Sequence, residues 1–282
     1  MRSLLLLLLV AFIAPHTVAA DKKDDSSVMS SAVKIRWSDR MLTISHPRIA
    51  PIEIEIWYIE AYVTGDSTDR EWHKSTLPQD MRLLESAPDG QRLLIEGVIA
   101  DHVHSLHEVC VDGDTVQFRV TFENRGSDYV DLQWMQPCLR VGEFTGLPQE
   151  SYYEKCFIYT KNGVQFLDDL PRTVEARYRG GQVYVPEDIP LDDVNPRPIS
   201  NVKPVNSLMG AVSADNQSLV AVAFEPVQEL FQGVIRCIHS DPRIGGLKPG
   251  ERKEIRGIFY CMENNTRKLL TRYEEDFTQH TN

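Results

Sequence analysis

The chain has 282 residues, 42% of them hydrophobic, with 30 Lys and Arg against 41 Asp and Glu. The net charge of −11 repels phosphate backbones, so nucleic acid is not an expected partner, and no lysine-arginine block marks a membrane-surface segment. Five cysteines without a single CxxC pair exclude a zinc ribbon.

Arg2, the apolar run Leu4 to Ile13 and the small residues Val18-Ala19-Ala20 read as a signal peptide over residues 1–20. That run is too short to cross a bilayer, which needs roughly 20 apolar residues, so no membrane span is expected. The expected location is secreted or periplasmic, where disulfides form. Residues 21–31 read as a polar, disordered arm, and residues 32–278 as one β-sandwich domain.

Within that domain "IEIEIWY" alternates Ile52, Ile54 and Ile56 against Glu53 and Glu55, and the alternation slips near Trp57–Ile59, as at a bulge or sheet corner. "LPQDMRLLESA" is weakly helical in pattern. In "TVQFRVTF", Val116, Phe118, Val120 and Phe122 face one way, so one face is buried and the other wet. "CFIYTKNGVQF" reads as a hairpin about Asn162-Gly163. The prolines of residues 186–204 predict an irregular loop crossing the sandwich. "SLVAVAFE" is apolar on both faces, as in a central strand of a covered sheet, and "EIRGIFYC" is a further strand. Near the C-terminus Leu269, Leu270, Tyr273 and Phe277 fall at helical spacing. The pattern predicts an all-β fold, a large antiparallel sandwich with a short C-terminal helix.

Four groups of residues carry possible chemistry. Cys237 and His239 share a strand face with Asp241 close by, and Glu225 ends "AVAFE"; a histidine with a carboxylate can serve in acid–base catalysis. The bland alternative is a strand-end histidine beside an Asp-Pro turn. His102, His104 and His107 contain an HxH pair, but the parity of His107 is wrong for a third ligand, so no metal is expected. Trp57, Trp72, Trp134, Tyr152, Tyr153, Tyr159 and Tyr184 would stack on sugar rings if exposed, with Trp134, Arg140, Tyr152 and Tyr153 the binding candidates; packing in the core is the competing role. Cys237 and Cys261 lie at equal distances from Pro249, so a hairpin there would bring them within disulfide reach; separation onto opposite sheets would leave both free. No GxSxG elbow, P-loop or HExxH occurs, and no cofactor is expected.

"VDGDTVQFRVTFENRGSD", "SLMGAVSADNQSLVAVAFE" and "CIHSDPRIGGLKPGERKEIRGIFYCME" together resemble a group of secreted bacterial proteins frequent in planctomycetes. That group is similar to galactose mutarotases and to the β-domains of polysaccharide lyases. The resemblance, over Val111 to Phe277, implies a large antiparallel sandwich and carries no catalytic residues across. The favoured expectation is a non-catalytic secreted protein that binds a glycan or a cell-envelope protein. The alternative is a carbohydrate-active enzyme, an epimerase or lyase, using His239 with a carboxylate.

Overall fold

The computed structural model describes residues 32–195 and 198–278; the proposed signal peptide and polar arm lie outside the described residues. Two antiparallel sheets face each other. Sheet A runs β1 (Lys34–Ser38), β2 (Met41–Ser45), β3 (Glu53–Val63), β8 (Trp134–Arg140), β15 (Cys237–Pro242), β14 (Val227–Gln232) and β11 (Gln182–Tyr184). Sheet B runs β10 (Gly163–Phe166), β9 (Cys156–Thr160), β12 (Met209–Val212), β13 (Ser218–Glu225), β16 (Arg252–Glu263), β7 (Thr115–Asn124), β6 (Val103–Asp112), β5 (Arg92–Ile99) and β4 (Gln79–Ser86). The fold is an all-β sandwich, as the period-two patterning predicts.

Strand parity decides which residues meet. Ile54, Ile56, Leu139, Leu230 and Ile238 of sheet A pack against Val116, Phe118, Val120, Phe122, Val222 and Phe259 of sheet B in the main core. The odd residues of β13 point the other way. Leu219, Ala221 and Ala223 pack with Ile258 and Tyr260 under Leu269, Leu270, Tyr273 and Phe277 of the C-terminal helix Thr266–Thr278. That helix is why "SLVAVAFE" is apolar on both faces: one face meets sheet A and the other is roofed. It is amphipathic, and no helix of the described residues is long and apolar enough to cross a membrane.

The slip near Trp57 is a register shift between Trp57 and Ala61 where β3 pairs β8. Tyr58 and Tyr62, of the same even parity as Ile54 and Ile56, enter the main core at and just beyond it. Two local expectations are corrected. "QDMRLLES" is β4, not a helix: pairing with β5 overrides its weak helical pattern. The β9–β10 hairpin turns at Lys161-Asn162, and Gly163, at φ 88°, already pairs with Thr160.

The expected Cys237–Cys261 bridge is absent, and all five cysteines are free. Cys237 lies on β15 in sheet A and Cys261 on β16 in sheet B. Cys261 points into the main core. The hairpin partner of β15 is β14, through a turn near Ile235, so Pro249 is not a hairpin centre.

Candidate functional site

The outer face of sheet A, turned away from the main core, gathers most of the polar groups of interest. Three rows of residues cross it. Glu55 lies opposite Arg140, and Arg140 opposite Cys237. Trp57 lies opposite Cys138, and, next along the same register, Cys138 neighbours His239, which pairs with Phe231. Ala61 lies opposite Gln136, whose Nε2 donates to Asp241 Oδ2 at 3.3 Å, and Asp241 pairs with Glu229.

One end of this face is open. A groove of about 580 Å³ is lined by Glu53, Glu55, Arg140, Gly142, Glu143, Gln149 and Arg236 among others. Glu53 is held by Arg36 Nη1 and Nη2, both at 2.6 Å, and by Ser45 Oγ; the Arg36 and Ser45 hydrogen bonds push its carboxyl down to about 2. Trp57, half-buried beside the groove, lies between Arg40 and Arg140, whose guanidinium carbons are 5.9 and 5.8 Å from its ring centre. Arg140 Nε and Gln149 Nε2 are buried donors with no hydrogen-bond partner among the described residues. A second cavity, of about 560 Å³, shares Gln149 with the first and is lined by Tyr153, Asp168, Arg172 and Arg177. Arg172 stacks over the Tyr153 ring at 4.3 Å.

The middle of the same face is closed. Phe231 packs with Val183, Val185 and Val194, and with Ile189 and Ile199 beside them, so the segment after β11 lies over β14. Asp193 fastens it: its main-chain oxygen accepts from Trp134 Nε1 and Gln228 Nε2, and its carboxylate pairs with Arg243 at 3.0 Å. Asn195 Nδ2 donates to the main chain of Ser67 and Arg70. Beneath this cover lie Glu229, Asp241, His239, Cys138 and Cys237, all 1% exposed or less.

His239 Nε2 is 3.2 Å from Cys237 Sγ, and His239 Nδ1 is 3.5 Å from Asp241 Oδ1. Among the described residues neither Glu229 oxygen has a hydrogen-bond partner, and Asp241 Oδ1 and His239 Nδ1 have only their long approach to each other. Burial, reinforced by Asp241, pushes the Glu229 carboxyl well above its usual range. Burial also raises Asp241 to about 6, against the opposing pull of His239. For His239 burial acts downward, but the neighbouring Cys138 and Asp241 outweigh it and push the imidazole up.

The candidates from the sequence are thus dispersed. His239 and Asp241 come together, while Glu225 sits on the outer face of sheet B, accepting from Tyr273 Oη of the C-terminal helix. Trp134 and Tyr152 are fully buried and cannot offer a stacking surface. Tyr152 Oη lies 2.6 Å from Gly233 O and accepts from Gln232 Nε2. Arg140 and Tyr153 line the two cavities. His102 is exposed, His104 is half-buried on β6, and His107 points into the main core, so they form no set of ligands. Two members of the buried cluster escaped sequence reading. Glu229 pairs with Asp241 through the hairpin about Ile235, and the spacing of the two about that turn was the available signal. Cys138 reaches Cys237 only through the pairing of β8 with β15, strands nearly a hundred positions apart.

No family model matches the chain, and no curated protein matches it. Solved structures of similar fold exist at very low identity. The galactose mutarotase related enzyme of Lactobacillus acidophilus is 8% identical, with a TM-score of 0.43 over 83% of this chain and 98% of its own. A putative aldose 1-epimerase of Escherichia coli K12 is 9% identical, with a TM-score of 0.41 over 82% of this chain and 99% of its own. The alpha-N-acetylgalactosaminidase NagBb of Bifidobacterium bifidum is 10% identical, with a TM-score of 0.49 over 88% of this chain but 38% of its own.

Proposed function

We propose that this is an exported, non-catalytic glycan-binding protein of the secreted bacterial group named above, holding an extended sugar chain along the two cavities that share Gln149. The observation that carries the reading is the pair of buried, unpartnered donors, Arg140 Nε and Gln149 Nε2, on residues that line the open groove. Unpaired buried donors are costly, and a sugar hydroxyl satisfies them. Glu55 and Glu143 of the same groove supply acceptors. The net charge of −11 disfavours a polyanionic ligand, so a neutral glycan is the expected class.

A glycan array with the purified protein, followed by titration calorimetry on any ligand found, tests this. Gln149→Ala and Arg140→Ala should each weaken binding about tenfold or more, equivalent to roughly 1.4 kcal/mol. No bound glycan, or affinity unchanged in both variants, overturns the reading. An epimerase or lyase reading has one observation in its favour, the approach of His239 to Asp241 at 3.5 Å. It is the weaker one, because both side chains lie beneath the cover and neither lines the groove.

A further inference from the structure

We infer that Cys138, Cys237 and His239 form a zinc site inside the outer face of sheet A, separate from the glycan groove. One ligand atom from each of these three buried residues lies within 4.8 Å of the other two. Zinc bonds of about 2.3 Å to sulfur and about 2.0 Å to nitrogen set tetrahedral ligand separations of roughly 3.5 to 3.8 Å. Small side-chain rotations reach those values from the 3.2 Å between Cys237 Sγ and His239 Nε2. Two sulfurs and one imidazole nitrogen select zinc among the common divalent ions.

Three further features fit a metal. The first is Asp241. Its Oδ1 stands 3.5 Å from His239 Nδ1, so the proton belongs on Nδ1 and the Nε2 lone pair faces the two sulfurs. A carboxylate behind a ligating histidine is the usual outer support of a zinc-bound imidazole. The second is Glu229. It is fully buried opposite Asp241 with neither oxygen partnered, and among the described residues no lysine or arginine pairs with either carboxylate. A carboxyl left this way makes the surroundings of the cluster polar and incomplete, and three protein ligands leave zinc one coordination position for water. The third is Gly233. A Cβ there would stand 2.3 Å from Cys237 Sγ and 3.4 Å from His239 Nε2, so only glycine leaves room for the sulfur beside the imidazole. On binding, each thiol and the protonated imidazole at Nε2 give up a proton to solvent, and the two sulfurs and Nε2 take the metal in place of those protons.

The test uses the whole exported chain, purified with reductant and without chelator. Elemental analysis should find one zinc per chain, and X-ray absorption at the zinc edge should show two sulfur neighbours. Replacement by cobalt(II) should give the intense near-ultraviolet sulfur-to-cobalt absorption band. Cys138→Ser and Gly233→Ala should abolish that band. Asp241→Asn should keep it while lowering affinity about 10- to 100-fold. The wild-type measurements stand even if a variant fails to fold. Substoichiometric metal with no sulfur neighbours overturns the proposal. So does a Cys138–Cys237 disulfide in protein isolated without reductant, detected as two cysteines that resist alkylation after unfolding with chelator until they are reduced.

Discussion

His107 and His239 are the two most deeply buried histidines among the described residues, and their surroundings differ in one decisive respect. His107 projects from sheet B into the main core and meets two tyrosines of sheet A. Its Nδ1 is 2.9 Å from Tyr58 Oη, and its Nε2 is 3.2 Å from Tyr62 Oη and 3.0 Å from Ser105 Oγ. Both ring nitrogens are partnered, and the ring packs edge-on against Tyr58 and Phe122. His239 is as deeply buried, yet its Nδ1 only approaches Asp241 Oδ1, at 3.5 Å, and among the described residues neither Glu229 oxygen has a hydrogen-bond partner. A completed polar network ties two sheets together; an incomplete one costs stability and is retained for something else.

The largest way to break this comparison is to delete the completed network. His107→Ala leaves two tyrosine hydroxyls unpaired and opens a cavity, so it should cost about 4 kcal/mol in urea unfolding. A loss below about 1 kcal/mol would show that the network holds nothing together.

The pH dependence is the next largest effect. Burial lowers His107 from 6.5 to about 3, so between those values the unfolded chain carries a proton that the folded chain excludes. Stability therefore falls as pH drops through this window. By about pH 4 the wild type should lose roughly 3 kcal/mol relative to His107→Gln, which has no proton to take up. Parallel stability curves for the two proteins would place the titration elsewhere.

The incomplete cluster should respond in the opposite sense. With zinc removed by chelation, Glu229→Met replaces an unpartnered buried carboxyl by an apolar group of similar volume. It should stabilise the fold by about 2 kcal/mol. If it destabilises as strongly as His107→Ala does, Glu229 is a structural residue and the comparison collapses.

Tyr58→Phe is the smallest test. It removes a single hydroxyl and leaves His107 Nδ1 unpaired, at about 1 kcal/mol. Thermal unfolding monitored by circular dichroism would resolve it, and a double-mutant cycle with Tyr62→Phe would show whether the two tyrosines act through the shared imidazole.

The chain by itself determined the β architecture. Val116, Phe118, Val120 and Phe122 alternate because one face of β7 meets sheet A and the other does not, and a period of two survives any tertiary arrangement. The C-terminal helix was equally legible, since its apolar stripe is a local property. The slip at Trp57 was visible as a break in alternation, although the meeting of Tyr58 and Tyr62 with His107 beside it was not. Tertiary pairing decided everything that depends on which strand lies beside which. Spacing about Pro249 suggested that Cys237 faces Cys261, but pairing of β15 with β14 and β8 sends Cys237 to Cys138 and His239 instead. Exposure was also a tertiary outcome. Trp134 and Tyr152 are as aromatic as Trp57 and Tyr153, yet the segment fastened by Asp193 bonds the Trp134 indole, while Tyr152 is enclosed at Gly233 and Gln232. Local pattern records which face of a strand is wet or dry; it holds no record of the distant segment that makes it so.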